Sequence, residues 1–289
     1  MTSLNLWVAG ARPRTLPAAI APVIVGSAFA SRDFSTTRSL LALVVALALQ
    51  IGVNYANDYS DGIKGADSDR VGPLRLVGSG VASARSVRNA AFISFLIAAL
   101  AGLYLASLTS WSLLLIGAAA IIAAWNYTGG SKPYGYSGFG EISVFIFFGI
   151  VATLGTYYVN ALYLSKEAFL ASLAMGSLAC SILVLNNLRD REKDELVNKR
   201  TLAVIIGDAK TRDLYRWLMF AALALSALLS FFSPFYLLAL LSLPLVARSV
   251  RQVASGAQGV ELISLLGQTG RIQMIYAALL SLAAVLANR

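Results

Sequence analysis

Two clusters of acids and amides stand out from an otherwise apolar sequence. The first, Asn57-Asp58 with Asp61 and Asp67, follows a long apolar run, and the second, Asn187 with Asp190 and Asp194, follows another. If the helix that ends each run continues through its cluster, Asn57 and Asp61 share one face at i, i+4. Asn186, Asp190 and Asp194 form a second stripe at the same step. Like charges at these spacings repel, more strongly near a low-dielectric boundary, so a counter-charge is expected. The chain has no His, which removes imidazole bases and His-ligated zinc or haem and leaves hard oxygen donors. Such donors suit Mg²⁺ or Mn²⁺, and Mg²⁺ commonly sits between one or two carboxylates and the phosphate oxygens of a substrate. Asp58, Asp61, Asp67, Asp190 and Asp194 are therefore the candidate metal ligands. Lys64, Arg75, Lys132, Arg189 and Lys199 are the basic residues near enough in sequence to close a diphosphate cage around them.

The elements that position these residues must lie in a bilayer. Of 289 residues, 58% are hydrophobic and only 13% are charged, about half the charge of a soluble domain, and the mean hydropathy is +0.72. Apolar stretches near the length that spans a membrane occur at about 15–31, 39–58, 87–108, 111–127, 141–162, 167–187, 212–231, 233–250 and 271–288. The expectation is an all-α bundle of nine transmembrane helices forming one domain over 1–289. Both acidic connections, 59–86 and 188–211, then leave the membrane on the same side. Of the 23 Lys and Arg, 19 fall on that side, which the positive-inside rule makes cytoplasmic. The net charge of +9 is absorbed by this bias, and no nucleic-acid partner is implied. The partner is the lipid bilayer. Cys180 lies within an apolar run and reads as a packing residue.

A connection of unusual composition, Tyr127 to Glu141, carries five glycines and three tyrosines in 15 residues, with Lys132 and Tyr134 near its centre. Glycine permits close backbone approach and tyrosine can stack on a flat ring. A cation transporter would also place acids at a membrane face, yet the middles of the nine stretches are essentially free of ionisable residues.

These residues resemble the UbiA superfamily of intramembrane prenyltransferases, which carries an Asn/Asp-rich motif after the second helix and an Asp-x-x-x-Asp motif after the sixth. Asn57 with Asp61, and Asp190 with Asp194, match. The finer pattern is similar to its MenA branch, the 1,4-dihydroxy-2-naphthoate polyprenyltransferases. It comprises Ala11-Arg12-Pro-Arg14-Thr, Asn57 to Asp61 with Gly65-Ala-Asp67, Arg70 to Arg75, Pro133-Tyr134-Gly-Tyr136, and Asn187-Leu-Arg189-Asp190 leading to Lys199-Arg200-Thr. The first motif departs from many members in placing its last acid at Asp67 rather than at position 65. The resemblance implies Mg-dependent transfer of a polyprenyl group from its diphosphate to dihydroxynaphthoate at a cytoplasmic active site, with loss of CO₂. It implies Asp61, Asp190 and Lys132 as catalytic residues, with Asn57 and Asn187 orienting the metal ligands. Arg189 and Lys199 become diphosphate clamps, Tyr134 a substrate-binding residue, and Arg12, Arg14 or Arg75 partners for the acceptor's carboxylate. The superfamily motifs alone also accommodate 4-hydroxybenzoate, homogentisate, haem or a lipid as acceptor.

Overall fold

In lipid a chain must satisfy its backbone polar groups internally, so apolar runs of this length become helices. The structure, a computed structural model describing residues 3–65 and 74–289, is all helical among those residues. A short α1 (Leu4–Gly10) precedes α2 (Pro17–Phe29), α3 (Thr36–Ile63), α4 (Ala84–Ser107) and α5 (Leu113–Asn126). The next membrane segment, Gly140–Ala161, is built of α6 (Gly140–Val144), a π-helical stretch Phe145–Leu154 and α7 (Gly155–Ala161). Then come α8 (Lys166–Leu196), α9 (Leu202–Leu229), α10 (Leu243–Ala254) and α11 (Gly259–Ala287).

Each of the nine expected stretches is helical, and six of the helices among the described residues are long and apolar enough to cross a membrane. The other three fall short for two reasons. α2 has 13 residues and α5 has 14, which at 1.5 Å per residue cover about 20 Å of a hydrocarbon layer roughly 30 Å thick. The third, α9, has 28 residues, but it carries Asp208, Lys210, Arg212, Asp213 and Arg216.

Helix starts follow local chemistry. Ser165 caps α8 by accepting from the Ala168 amide at 3.0 Å, and Gln258 with Glu261 forms a capping box at α11, each satisfying amides that a first turn leaves orphaned. The segment Pro234–Ser242 is a tighter helix that gives way to α10 beside Pro244, a residue without an N–H to donate. Two cores result. One gathers apolar residues of α2, α8, α9, α10 and α11 around Met175, Leu178, Met219 and Leu280, and the other packs α3 against α4 around Ala56, Leu76, Val87 and Phe95.

Between them the π-helical stretch lies close against α8 and α2. A Cβ on Gly149 would collide with Cα of Gly176, and one on Gly26 with the Thr153 carbonyl. Glycine at these places is what lets the backbones touch. π geometry opens the i to i+4 ladder to i+5, and here it presents Phe147, Phe148 and Val151 to the central cavity.

Candidate active site

α3 runs on past the apolar stretch to Ile63, and α8 runs on to Leu196, so both clusters are helical to their last acid except Asp67. That residue lies outside the described residues, as do Arg70 and Pro73 of the adjoining motif. Beside the clusters is a cavity of about 830 Å³ lined by α2, α3, α4, α5, the π-helical segment and α8. Its polar end carries Arg12, Asn57, Asp61, Arg75, Asn187 and Lys199, and its body is apolar. Ala42 and Asp61 both line it, and the rise of an α-helix puts about 28 Å between them.

The junction of the two clusters is Lys199. Its ammonium lies 3.7 Å from Asp61 Oδ2 and 3.5 Å from Asp194 Oδ1. Asp61 also accepts from the Tyr136 hydroxyl at 2.6 Å and faces Arg75 Nη2 at 3.5 Å. The ring of Tyr136 is flanked by two ammonium groups, Lys64 at 4.8 Å and Lys199 at 5.2 Å from its centroid, an arrangement that the electron-rich face favours. Lys64 donates to the Thr128 carbonyl at 2.8 Å, and the Thr128 hydroxyl donates to Asn57 Oδ1 at 2.7 Å. Burial lowers the Lys64 pKa from the ordinary lysine value, an effect that Asp61 opposes and Lys199 reinforces. Lys199 and Arg75 face Asp61 and Asp194, so the mouth is rich in paired charge.

Among the described residues Asp190 pairs with Arg189. Arg189 grips it with a two-pronged fork, both bonds 2.7 Å, while a third bond from the same guanidinium reaches Asn186 Oδ1 at 2.9 Å. Such a fork is among the stronger side-chain pairings. Asp58 turns away from the cavity altogether. Its Oδ2 accepts the Leu76 amide at 2.8 Å and its Oδ1 the Val77 amide at 3.0 Å, so its carboxylate anchors the returning loop that delivers Arg75. Gly62 makes room for that loop, since a Cβ there would lie 2.5 Å from the Val77 side chain.

Arg12, Tyr134 and Asn187 line the cavity, whereas Arg14 and Lys132 are exposed and lie outside it. The Tyr134 hydroxyl donates to the Ala123 carbonyl at 2.8 Å and pairs with Ser143 at 2.9 Å. Burial raises its pKa above the ordinary phenol value, with the Ser143 bond pulling the other way, so Tyr134 is a neutral wall group. Among the described residues no three His, Cys, Asp or Glu gather tightly enough to hold a metal by themselves.

Four groups at the site are not marked by the spacing of the acids. Tyr136 and Thr128 come from the glycine-rich connection, where a surplus of tyrosine was the available signal. Glu141, which accepts from Asn187 at 2.9 Å, is marked only as a carboxylate opening an apolar run. Gln50, two turns below Asn57 on α3, donates to Thr15 at 3.1 Å and to Asn54 at 3.2 Å.

This architecture has close relatives. The UbiA prenyltransferase family model matches residues 19–258. The chain is similar to the 1,4-dihydroxy-2-naphthoate octaprenyltransferase of Mycobacterium tuberculosis, with 55% identity over 81% of each chain. It is also similar to the Escherichia coli protein of the same name, with 40% identity over 78% of this chain and 77% of that one. Among solved structures, a UbiA homolog from Archaeoglobus fulgidus bound to GPP and Mg²⁺ superposes with a TM-score of 0.70 at 15% identity, covering 97% of this chain and 99% of that one. The apo structure of a UbiA homolog from Aeropyrum pernix K1 gives 0.71 at 12% identity, covering 94% and 98%.

Proposed function

The chain belongs to the UbiA prenyltransferase family, and from that premise we propose that it transfers a polyprenyl group from polyprenyl diphosphate to 1,4-dihydroxy-2-naphthoate, releasing diphosphate and CO₂ to give a demethylmenaquinol. The observation that carries this reading is the shape of the cavity, which joins a mouth of paired charges to an apolar body about 28 Å long by the helical rise. A polyprenyl diphosphate has the same two parts. The choice of acceptor is supported by the naphthoate prenyltransferases of M. tuberculosis and E. coli, which the chain resembles over most of its length.

A diphosphate brings more negative charge than Lys199 and Arg75 can neutralise while both are engaged by acids. The residues fit a hard divalent cation, Mg²⁺ or Mn²⁺: the donors are all oxygen, and Asp61 and Asp194 already approach one ammonium from two sides. Asp61 and Asp194 would hold the ion, with Asn57 and Asp190 beside them, and its chemistry when bound is to neutralise the departing diphosphate. The A. fulgidus homolog bound to Mg²⁺ supports this part of the reading.

The remaining work falls to the chain itself. Lys199, Arg75 and Lys64 hold the anion by charge-assisted bonds, which lowers the cost of breaking the allylic C–O bond. The apolar wall keeps water from the allylic cation. Arg12 lines the cavity, as do Thr15, Gln50 and Asn54, and is the guanidinium to meet the acceptor's carboxylate. A bond forms between the allylic carbon and the ring carbon bearing that carboxylate. The electrons of the C–COO⁻ bond then return to the ring as CO₂ leaves. The excess of basic residues on this side supports a cytoplasmic face for the reaction.

The test is a panel of acceptors supplied to the purified protein in lipid nanodiscs with polyprenyl diphosphate and Mg²⁺. Prenylated product is expected with dihydroxynaphthoate; preferential turnover of 4-hydroxybenzoate or homogentisate would overturn the assignment.

A further inference from the structure

Glu141 is a buried carboxylate that the transfer reaction leaves without a role. It stands in the first turn of α6, 7% exposed, and makes no ion pair among the described residues. Its Oε1 accepts from Asn187 Nδ2 at 2.9 Å, while Oε2 has no hydrogen-bond partner there. The Glu141 carbonyl accepts from Cys180 Sγ at 3.1 Å, so Glu141 ties α6 to α8 at two points. Asn187 lines the cavity and lies two helical turns, about 10 Å, before Asp194 on the same face of α8.

A carboxylate only accepts hydrogen bonds, whereas a primary amide can turn either end toward a neighbour. Ionised Glu141 must therefore take the NH₂ of Asn187, and this decides which end is left for the cavity. The end left is Oδ1, which makes no hydrogen bond among the described residues. An acceptor on this wall suits a hydroxyl group and disfavours the oxygens of a phosphate or carboxylate. Those oxygens have their own partners nearer the mouth, in Arg75 and Lys199. A neutral glutamine at position 141 would pair with either end of the amide and fix neither.

We propose that Glu141 is a positioning residue that locks the amide of Asn187 so that its carbonyl oxygen accepts a hydrogen bond from a ring hydroxyl of the aromatic acceptor. The proposal rests on the reading of the acceptor as a dihydroxynaphthoate. It divides the cavity into a donor-lined mouth for anions and an acceptor-lined wall for the hydroquinone.

The experiment compares wild type, Glu141→Gln, Asn187→Asp and the double variant. KM is measured separately for dihydroxynaphthoate and for polyprenyl diphosphate, together with the thermal shift caused by 1,4-dihydroxynaphthalene, which has the hydroxyls and no carboxylate. Glu141→Gln should raise the acceptor KM about five- to tenfold, the scale of one neutral hydrogen bond between the amide carbonyl and a ring hydroxyl, and leave the diphosphate KM within about twofold. Asn187→Asp sets two carboxylates against each other and should lose the dihydroxynaphthalene shift. In the double variant the introduced amide on α6 donates to the introduced carboxylate on α8 and again leaves an acceptor facing the cavity, so the shift and the acceptor KM should largely recover. A double variant no better than Asn187→Asp would overturn the proposal, as would a Glu141→Gln enzyme with an unchanged acceptor KM. Failure of wild type to turn over dihydroxynaphthoate would instead strike the proposed function, and the dihydroxynaphthalene shifts would still report on the Glu141 and Asn187 pair.

Discussion

Replacing Asp58 by Asn separates an acid that holds structure from one that holds ligand. Asp58 is 0% exposed and accepts the amides of Leu76 and Val77 at 2.8 and 3.0 Å. Asparagine retains one carbonyl oxygen and points an NH₂ at the second amide, so one charge-assisted bond is lost and one buried N–H is left without an acceptor. A lost bond to a charged group costs roughly 1.5–3 kcal/mol, and the orphaned amide adds to it, for a total of about 3 kcal/mol. At the low end of the roughly 2–4 °C per kcal/mol seen for chains somewhat smaller than this one, the unfolding midpoint should fall by about 6 °C. The loop carrying Arg75 loosens with it, so turnover falls while the Mg²⁺ concentration at half-saturation stays unchanged. Thermal unfolding in nanodiscs and a Mg²⁺ titration of activity read the two quantities separately. An Asp58→Asn enzyme with the wild-type midpoint and a tenfold weaker Mg²⁺ dependence, a shift of about 1.4 kcal/mol, would refute the anchoring role and make Asp58 a ligand.

Asp61→Asn and Asp194→Asn should each lower turnover by about 10²–10³, the scale of removing one preorganised electrostatic group, and inorganic pyrophosphate with Mg²⁺ should no longer raise their unfolding midpoints. Lys132→Ala, at an exposed position outside the cavity, should keep activity within about twofold and stability within about 0.5 kcal/mol; a large loss of activity would restore it to the site. Gly149→Ala drives a methyl into Gly176 of α8 and should cost about 1–3 kcal/mol, measured as a lower denaturation midpoint. Because burial lowers the Lys64 pKa and only its protonated form attracts an anion, pyrophosphate affinity should decline with rising pH before an ordinary lysine would titrate, near about 10.4. Lys64→Arg, always charged, should move that decline to higher pH.

The helices and the phasing of the acids were readable because both depend on local spacing. Asn57 and Asp61 fall on one face, and Asn186, Asp190 and Asp194 on another, simply because α3 and α8 continue past their apolar runs. What the sequence could not show depends on chain returning from a distance. The amides that occupy Asp58 lie 18 and 19 residues onward, and nothing in the acid's own neighbourhood tells it from Asp61. Lys132 and Tyr136 sit four residues apart in a glycine-rich loop with no periodicity, so spacing alone does not say which of them turns inward. The π-helical stretch is hidden for a different reason. The segment Phe145–Leu154 is apolar apart from Thr153, and an unbroken apolar run has no polar residues to mark a change from i+4 to i+5 bonding. Arg12 and Arg14 look equivalent in Arg-Pro-Arg, and only the left-handed backbone at Arg12, with φ of 53°, ahead of the turn Pro13–Thr15, sets one into the cavity and the other outside it.

The central claim is that the cavity joins a polyprenyl diphosphate to a dihydroxynaphthoate at the carbon that bears the carboxylate. The most direct measurement uses acceptor labelled in the carboxyl carbon, with purified protein, polyprenyl diphosphate and Mg²⁺, following labelled CO₂, diphosphate and prenylated product together. The account predicts one CO₂ and one diphosphate for each prenyl group transferred, with no label in the product; a prenylated product that retains its carboxyl label would contradict it.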